Sequence, residues 1–262
     1  MSYVVFVDIE TLNLRRPLLG DQPGVWEAAA IRCHLDPDQR TMTVVDNWWG
    51  FLQVTGRHLA EADPGSLRVN RFYERHPAYR ARQSTAVITL DDEAVAVYPQ
   101  STQPIESLND IPGDSVAWSP ERAAQQIARV CAGATLIAAN PSFDEERLTH
   151  LLNDWGQCLA VDYHLGCVRQ LAAGWLAGRA AVAGHQPTAA ALPPLSGSAL
   201  MAAVTAAGGP QPDPGEAHTA WGDAVLAMRT YAFLLQLDEV SPYPLAAPAP
   251  QVGYALPWMA AE

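Results

Sequence analysis

The run Tyr3-Val4-Val5-Phe6-Val7 is continuous, apolar and largely β-branched or aromatic, and it stops abruptly at Asp8. A run of that kind suits a strand buried on both faces of a sheet. A second carboxylate, Glu10, follows two residues later. Side chains at i and i+2 of an extended chain point to the same side, so such a strand delivers two carboxylates to one spot. Like charges that close raise one another's pKa unless something neutralises them. A hard divalent cation is the usual neutraliser, because Mg²⁺ prefers carboxylate oxygens. A strand running out into a polar turn would carry the same residues, so the rest of the chain has to decide.

With 262 residues, 49% of them apolar, there is ample material for a sizeable core, as one large domain or two small ones. Cys33, Cys131, Cys158 and Cys167 are scattered and contain no C-x-x-C pair. With no apolar run long enough for a bilayer and no signal peptide before the first strand, they read as thiols in a reducing cytoplasm, away from any membrane. All 16 basic residues are arginine, against 28 acids, for a formal charge of −12. Such a chain is a poor long-range attractor for nucleic acid. An enzyme that carries part of its positive charge as bound metal remains compatible with it.

Val25 to Cys33 reads as a second strand, Asp36-Pro37-Asp38 as a turn and Thr41 to Leu52 as a third strand, so antiparallel neighbours are expected for the first. Residues 53–118 mix short apolar runs with Pro, Gly, Ser and acids. Within them Arg57, Arg68, Arg71, Arg75, Arg80 and Arg82 are interleaved with Phe72, Tyr73 and Tyr79. Arginine with stacking aromatics is what a single-strand groove uses, and it equally describes a solvated helix face with internal ion pairs. Ser119-Pro120-Glu121 starts a helix that Gly133 ends. Then come a strand at Ala134 to Ala139, a helix at Phe143 to Trp155, a strand at Cys158 to Val161 and a helix at about Leu165 to Leu176. A loop at Ala177 to Leu195, a helix at about Ser198 to Ala206 and a long helix at about His218 to Asp238 follow. The sequence from Ser241 is a Pro/Ala-rich tail. Strands first, then alternating strand and helix, predict an α/β domain with a mixed sheet.

Carboxylates recur where elements emerge from apolar contexts. Asp144 follows Asn140-Pro141-Ser142-Phe143 in the first turn of a helix, where an acid also serves simply to complement the dipole. Asp223 lies in His218-Thr219-Ala220-Trp221-Gly222-Asp223. At about 100° per residue, five steps separate the His218 and Asp223 side chains by roughly 140°, so they cannot share a helix face. His218 has to reach in from the approach to the helix, or from its frayed first turn, while Asp223 projects from its body.

In this order and these contexts, Asp8-Ile9-Glu10-Thr11, Asn140-x-x-Phe143-Asp144 and His218-x-Ala220-x-x-Asp223 resemble the three motifs of the DEDDh, or DnaQ-like, 3′→5′ exonucleases. The resemblance covers roughly Tyr3 to Leu235, and Glu27 resembles the second-strand Glu common in that family. It implies an RNase H-like fold, a central mixed β-sheet flanked by helices, over residues 1–240, with an insertion at about 53–118 and a tail at 241–262. It further implies two divalent ions, Mg²⁺ or Mn²⁺. Asp8 would bridge both, Glu10 and Asp223 would complete the first, Asp144 would hold the second, and His218 would act as general base, making these five the catalytic residues. Ile9, Thr11, Leu12 and Asn140 would meet the terminal nucleotide of a single-stranded substrate with a 3′ end. Relatives form dimers, so a homodimer is left open, with Trp48-Trp49 either a contact or part of the core.

The sequence also departs from the family. No Gly stands shortly after Thr11, Ala139 replaces the His that usually precedes the Asn, and Pro141 is an unusual spacer. These changes touch the floor under the terminal nucleotide and leave the acids intact. Two further readings stay open: a catalytically silent nucleic-acid-binding or scaffolding protein, and a phosphodiesterase for short oligonucleotides.

Overall fold

The computed structural model describes residues 2–14, 24–54, 56–77, 87–90, 94–97, 117–192, 197–212 and 216–240. β1 (Ser2–Thr11), β2 (Val25–Asp36) and β3 (Thr41–Leu52) form the expected antiparallel meander. The β2–β3 turn is closed by the Asp36 carboxylate, which accepts the backbone N–H groups of Asp38 and Gln39 at 3.0 and 2.9 Å. A separate antiparallel hairpin joins β4 (Val87–Leu90) to β5 (Ala94–Val97). β6 (Ala117–Trp118) runs parallel to the end of β3, β7 (Thr135–Ala138) parallel to β1 and β8 (Gly166–Cys167) parallel to β7. The main sheet has the order β6-β3-β2-β1-β7-β8, and β9 (Asp238–Val240) adds to the other end of β3.

The helices are α1 (Gly56–Ala60), α2 (Pro64–Val69), α3 (Phe72–Arg75), α4 (Pro120–Cys131), α5 (Pro141–Asp154), α6 (Val168–Val182), α7 (Gly197–Ala206) and α8 (Ala220–Leu235). β1 sits in the middle of the sheet, and the pleat splits its side chains between two cores. Val4 and Phe6 pack in one core with Trp221, Ala224 and Met228 of α8. Val5, Val7 and Ile9 pack in the other with Ile127 of α4 and Leu148 and Leu152 of α5. Burying a side chain such as Phe6, which is 0% exposed, contributes about 1.5–3 kcal/mol. This is the α/β class expected from the sequence, a mixed sheet flanked by helices, and it is compatible with an RNase H-like fold.

Several boundaries differ from expectation. Cys158 to Val161 is irregular backbone, and this stretch and Asp162 bond to the residues just before β7, through Gly133 N–H to Ala160 O and Asp162 N–H to Ala134 O. The pairing strand comes later, at β8, two residues long. α6 continues to Val182, through a stretch read as loop, because Arg179-Ala180-Ala181 are strong helix formers and the positive-φ Gly184 comes after them. α8 starts at Ala220, where the Thr219 side chain caps Gly222 N–H, and ends at Gln236 in the left-handed region. Asp238, expected in that helix, belongs to β9.

Trp48 and Trp49 belong to the interior. Trp48 packs edge-on to Trp118, and Trp49 donates from Nε1 to Glu27 at 2.8 Å. None of the four cysteines is bonded to another. Among the described residues no helix is long and apolar enough to cross a membrane. The tail at 241–262 and most of 78–116, with Tyr79, Arg80 and Arg82, lie outside the described residues.

Candidate metal centre

The parity that sends Val4 and Phe6 toward α8 sends Asp8 and Glu10 the same way, two and four residues further along β1. There they meet Asp223, which projects from the first turn of α8. Asp8, Glu10 and Asp223 each bring a carboxylate oxygen to within 4.8 Å of the others. Three acidic oxygens at that spacing can hold a divalent metal ion. Glu10 is buried, while Asp8 and Asp223 are half-buried and open toward solvent.

Asp144 joins them from the other side of the sheet. β7 runs parallel beside β1, and Asn140 stands at the position before α5, just past the end of β7. The buried Asp144 carboxylate comes close enough to the backbone N–H of Ile9, the residue between Asp8 and Glu10, for that dipole to favour its charged form. Electrostatics record the convergence. Desolvation pushes Asp8 well above the usual carboxylate range, and Asp144, Asp223, Glu10 and Glu27 add to the shift, Asp144 most. Glu10 is pushed up to about 8 by desolvation and then by Glu27 and Asp223, with Arg75 acting in opposition. Asp144 rises to about 7, mainly through desolvation, and Arg147 opposes the rise. Asp223 is also raised by desolvation, against the pull of His218. A cluster that disfavours its own ionisation is what a bound cation would relieve.

No family model matches the chain. No curated protein matches it either. The case for the site therefore rests on its residues.

His218 sits where the helical geometry required, on the approach to α8 and exposed. Its φ is 58°, the left-handed region, which costs a non-glycine residue about 1–3 kcal/mol and persists only where the surroundings over-determine it. Three contacts do so. The His218 carbonyl accepts from Arg75 Nη1 at 2.8 Å. Thr219 donates from Oγ1 to Glu216 O at 2.7 Å and accepts from Gly222 N–H at 2.9 Å. Gly222 is required for this fold-over, because a Cβ there would stand 2.2 Å from the Glu216 carbonyl oxygen.

The residues expected beneath a terminal nucleotide are placed differently. Asn140 is exposed at the rim, and its side chain makes no capping bond to α5. Ile9 and Thr11 are buried beside the acids. Leu12, expected to stack on a base, is 0% exposed and packs in the α8-side core. The cause is alternation itself: Leu12 shares the parity of Val4 and Phe6, so it faces the same core, and the register shift between Glu10 and Thr11 places its extra residue, Trp26, on β2.

Sequence reading missed the role of residues 56–77 in building this site. Ser66 Oγ and Asn70 Nδ2 donate to the Thr11 carbonyl at 2.8 and 3.4 Å, and Asp63 N–H donates to Leu12 O at 2.9 Å. Arg75 lies under the site in a bidentate pair with the fully buried Glu27, and Arg71 pairs with Glu74 on the surface. For these two arginines internal ion pairing, the blander of the two readings of the cluster, describes the structure. Arg169 was also missed. It is half-buried in the first turn of α6, stacked against Gly197, and it acts on both Asp144 and Asp223. Its signal was legible in principle, since a cation in a helix's first turn opposes the dipole and wants another reason to be there.

Proposed function

We propose that the protein is a metal-dependent 3′→5′ exonuclease that hydrolyses phosphodiester bonds of single-stranded nucleic acid, RNA or DNA, and releases nucleoside 5′-monophosphates. The observation that carries the reading is the meeting of four acids from three distant parts of the chain beside an exposed histidine. The donor set suits Mg²⁺ or Mn²⁺, because every candidate ligand is a hard carboxylate oxygen. Two such ions, one on Asp8, Glu10 and Asp223 and one on Asp8 and Asp144, would neutralise charge on the scissile phosphate and on the leaving 3′-oxygen.

The chain's own groups take the remaining tasks. His218, at the open side of the cluster, removes the proton from the attacking water, the work of a general base near neutral pH. Asp144, buried beside the Ile9 N–H, offers its carboxylate from the β1 side of the site. Arg169 offers the substrate a guanidinium for a phosphate oxygen, a charge-assisted contact. Asn140 contributes its amide to the terminal nucleotide from the rim.

One observation favours a second reading, a phosphodiesterase for short oligonucleotides. Arg75 and Arg71 are engaged within the protein, which leaves fewer cations to grip successive phosphates. Incubating 5′-labelled RNA and DNA strands of graded length with Mg²⁺ or Mn²⁺ tests both. A ladder shortening from the 3′ end on long strands supports the exonuclease, and cleavage confined to the shortest strands supports the alternative. Intact strands of every length, with metal demonstrably bound, would remove both.

A further inference from the structure

The strained backbone at His218 poses a question that the acids do not answer: what keeps an exposed histidine, just outside a helix, in one place above the cluster. The carbonyl side of His218 is held by Arg75, which comes from the segment the sequence reading set aside as an insertion. The Arg75 side chain is only 12% exposed, and the contacts of its guanidinium fan out in four directions. Nη2 bridges both oxygens of Glu27, and Nη1 donates to Asn70 O at 3.2 Å and to His218 O at 2.8 Å. The plane lies over Trp26, with Cζ 5.2 Å from the ring centroid.

Glu27 is itself fixed. Trp49 donates to it, and the backbone N–H of Ala220, the first residue of α8, favours its charged form. Glu27 therefore sits against the start of α8 and holds the His218 turn through Arg75. We propose that Arg75 is a positioning residue for His218, clamping the turn before α8 to the central strands so that the imidazole stands over the carboxylates. The inference rests on the exonuclease reading above for the role of His218. The clamp itself is independent of that role.

The chemistry of the fork makes the idea specific. A planar guanidinium can serve a carboxylate and two carbonyls at once, whereas a lysine ammonium keeps the charge but cannot span them. Arg75→Lys should therefore lower kcat roughly 10- to 100-fold with little change in KM, as a misplaced catalytic group does. In a His218→Ala background the same change should lower the remaining rate by less than about twofold, since the group being positioned is gone. Hydrogen exchange of peptides covering residues 216–222 should quicken in Arg75→Lys, while Mn²⁺ affinity stays within about threefold of the parent.

Multiplicative losses in the double variant, or unchanged exchange over 216–222, would overturn the proposal. If Arg75→Lys does not fold, Arg75→Gln carries the same measurements, as it keeps one donor in a shorter side chain. If the parent protein hydrolyses nothing, the exonuclease reading fails, and the exchange measurement still decides whether Arg75 holds this turn.

Discussion

Replacing Glu10 with Gln should make the metal-free protein more stable, by an amount that depends on pH. The Glu10 carboxyl moves from an ordinary 4.5 to about 8, so the folded state holds a proton that the unfolded state releases. Folding takes up that proton between about pH 4.5 and pH 8, and stability falls as the pH climbs through that window. For these two values the penalty is about 3 kcal/mol at pH 7 and about 1 kcal/mol at pH 5. Glutamine keeps the shape and removes the charge. In EDTA, Glu10→Gln should therefore gain up to about 3 kcal/mol over the parent at pH 7, and most of the gain should vanish at pH 5. Urea unfolding followed by tryptophan fluorescence at the two pH values reads this directly. Adding Mn²⁺ should reverse the order at pH 7, because a cation at about 1,000 times its Kd stabilises only the protein that binds it, by about 4.1 kcal/mol. A variant no more stable than the parent at pH 7, or equally stabilised at both pH values, would refute the idea that the acids are crowded against one another.

Asp8→Ala and Asp223→Ala should abolish hydrolysis, whereas His218→Ala should lower the rate by roughly 10²–10⁴ while Mn²⁺ still binds by calorimetry. An unchanged rate for His218→Ala would show that the base is another group. Arg169→Ala should raise KM for the strand by about tenfold or more and reduce the slope of log affinity against log salt by about one phosphate contact, with Mn²⁺ affinity held. An unchanged slope would remove Arg169 from the substrate. Gly222→Ala should destabilise the protein by about 1–3 kcal/mol and reduce turnover, because its methyl group would collide with Glu216 O. Helix propensity alone predicts the opposite sign, a gain of about 1 kcal/mol, so a melting curve distinguishes the two.

The parts of this molecule legible from sequence are those set by local periodicity. The Tyr3 to Val7 run announced a central strand, and alternation carried Asp8 and Glu10 to one face because the pleat continues unbroken through both. The five-residue offset from His218 to Asp223 placed one residue before α8 and the other within it, since helical geometry leaves no other arrangement. Reading failed where the deciding contact is distant or an element is too short to show a period. Leu12 shares the parity of Phe6 and joins its core, where the family resemblance had implied a residue free to meet a nucleotide. Arg75 finds its partner Glu27 across 48 positions, and a cluster of arginines looks the same whether it faces a nucleic acid or the interior. β8 is too short to leave a pattern, so an apolar run upstream stood in for it.

The misread arginine changes how the charge of the site is understood. Five carboxylates, Asp8, Glu10, Glu27, Asp144 and Asp223, crowd the ends of β1, β2, α5 and α8 in a protein that already carries a net charge of −12. Arg75 neutralises Glu27 and lowers Glu10 and Asp223, while Arg147 and Arg169 act on Asp144. That leaves the pair on β1, Asp8 and Glu10, without a cation paired to either among the described residues. Among the described residues, fixed guanidinium groups thus balance the periphery of the cluster, and a cation from solution would balance its centre. A polyanion would meet a site whose acceptance depends on divalent metal, so strand binding should be lost in EDTA even where the fold becomes no less stable.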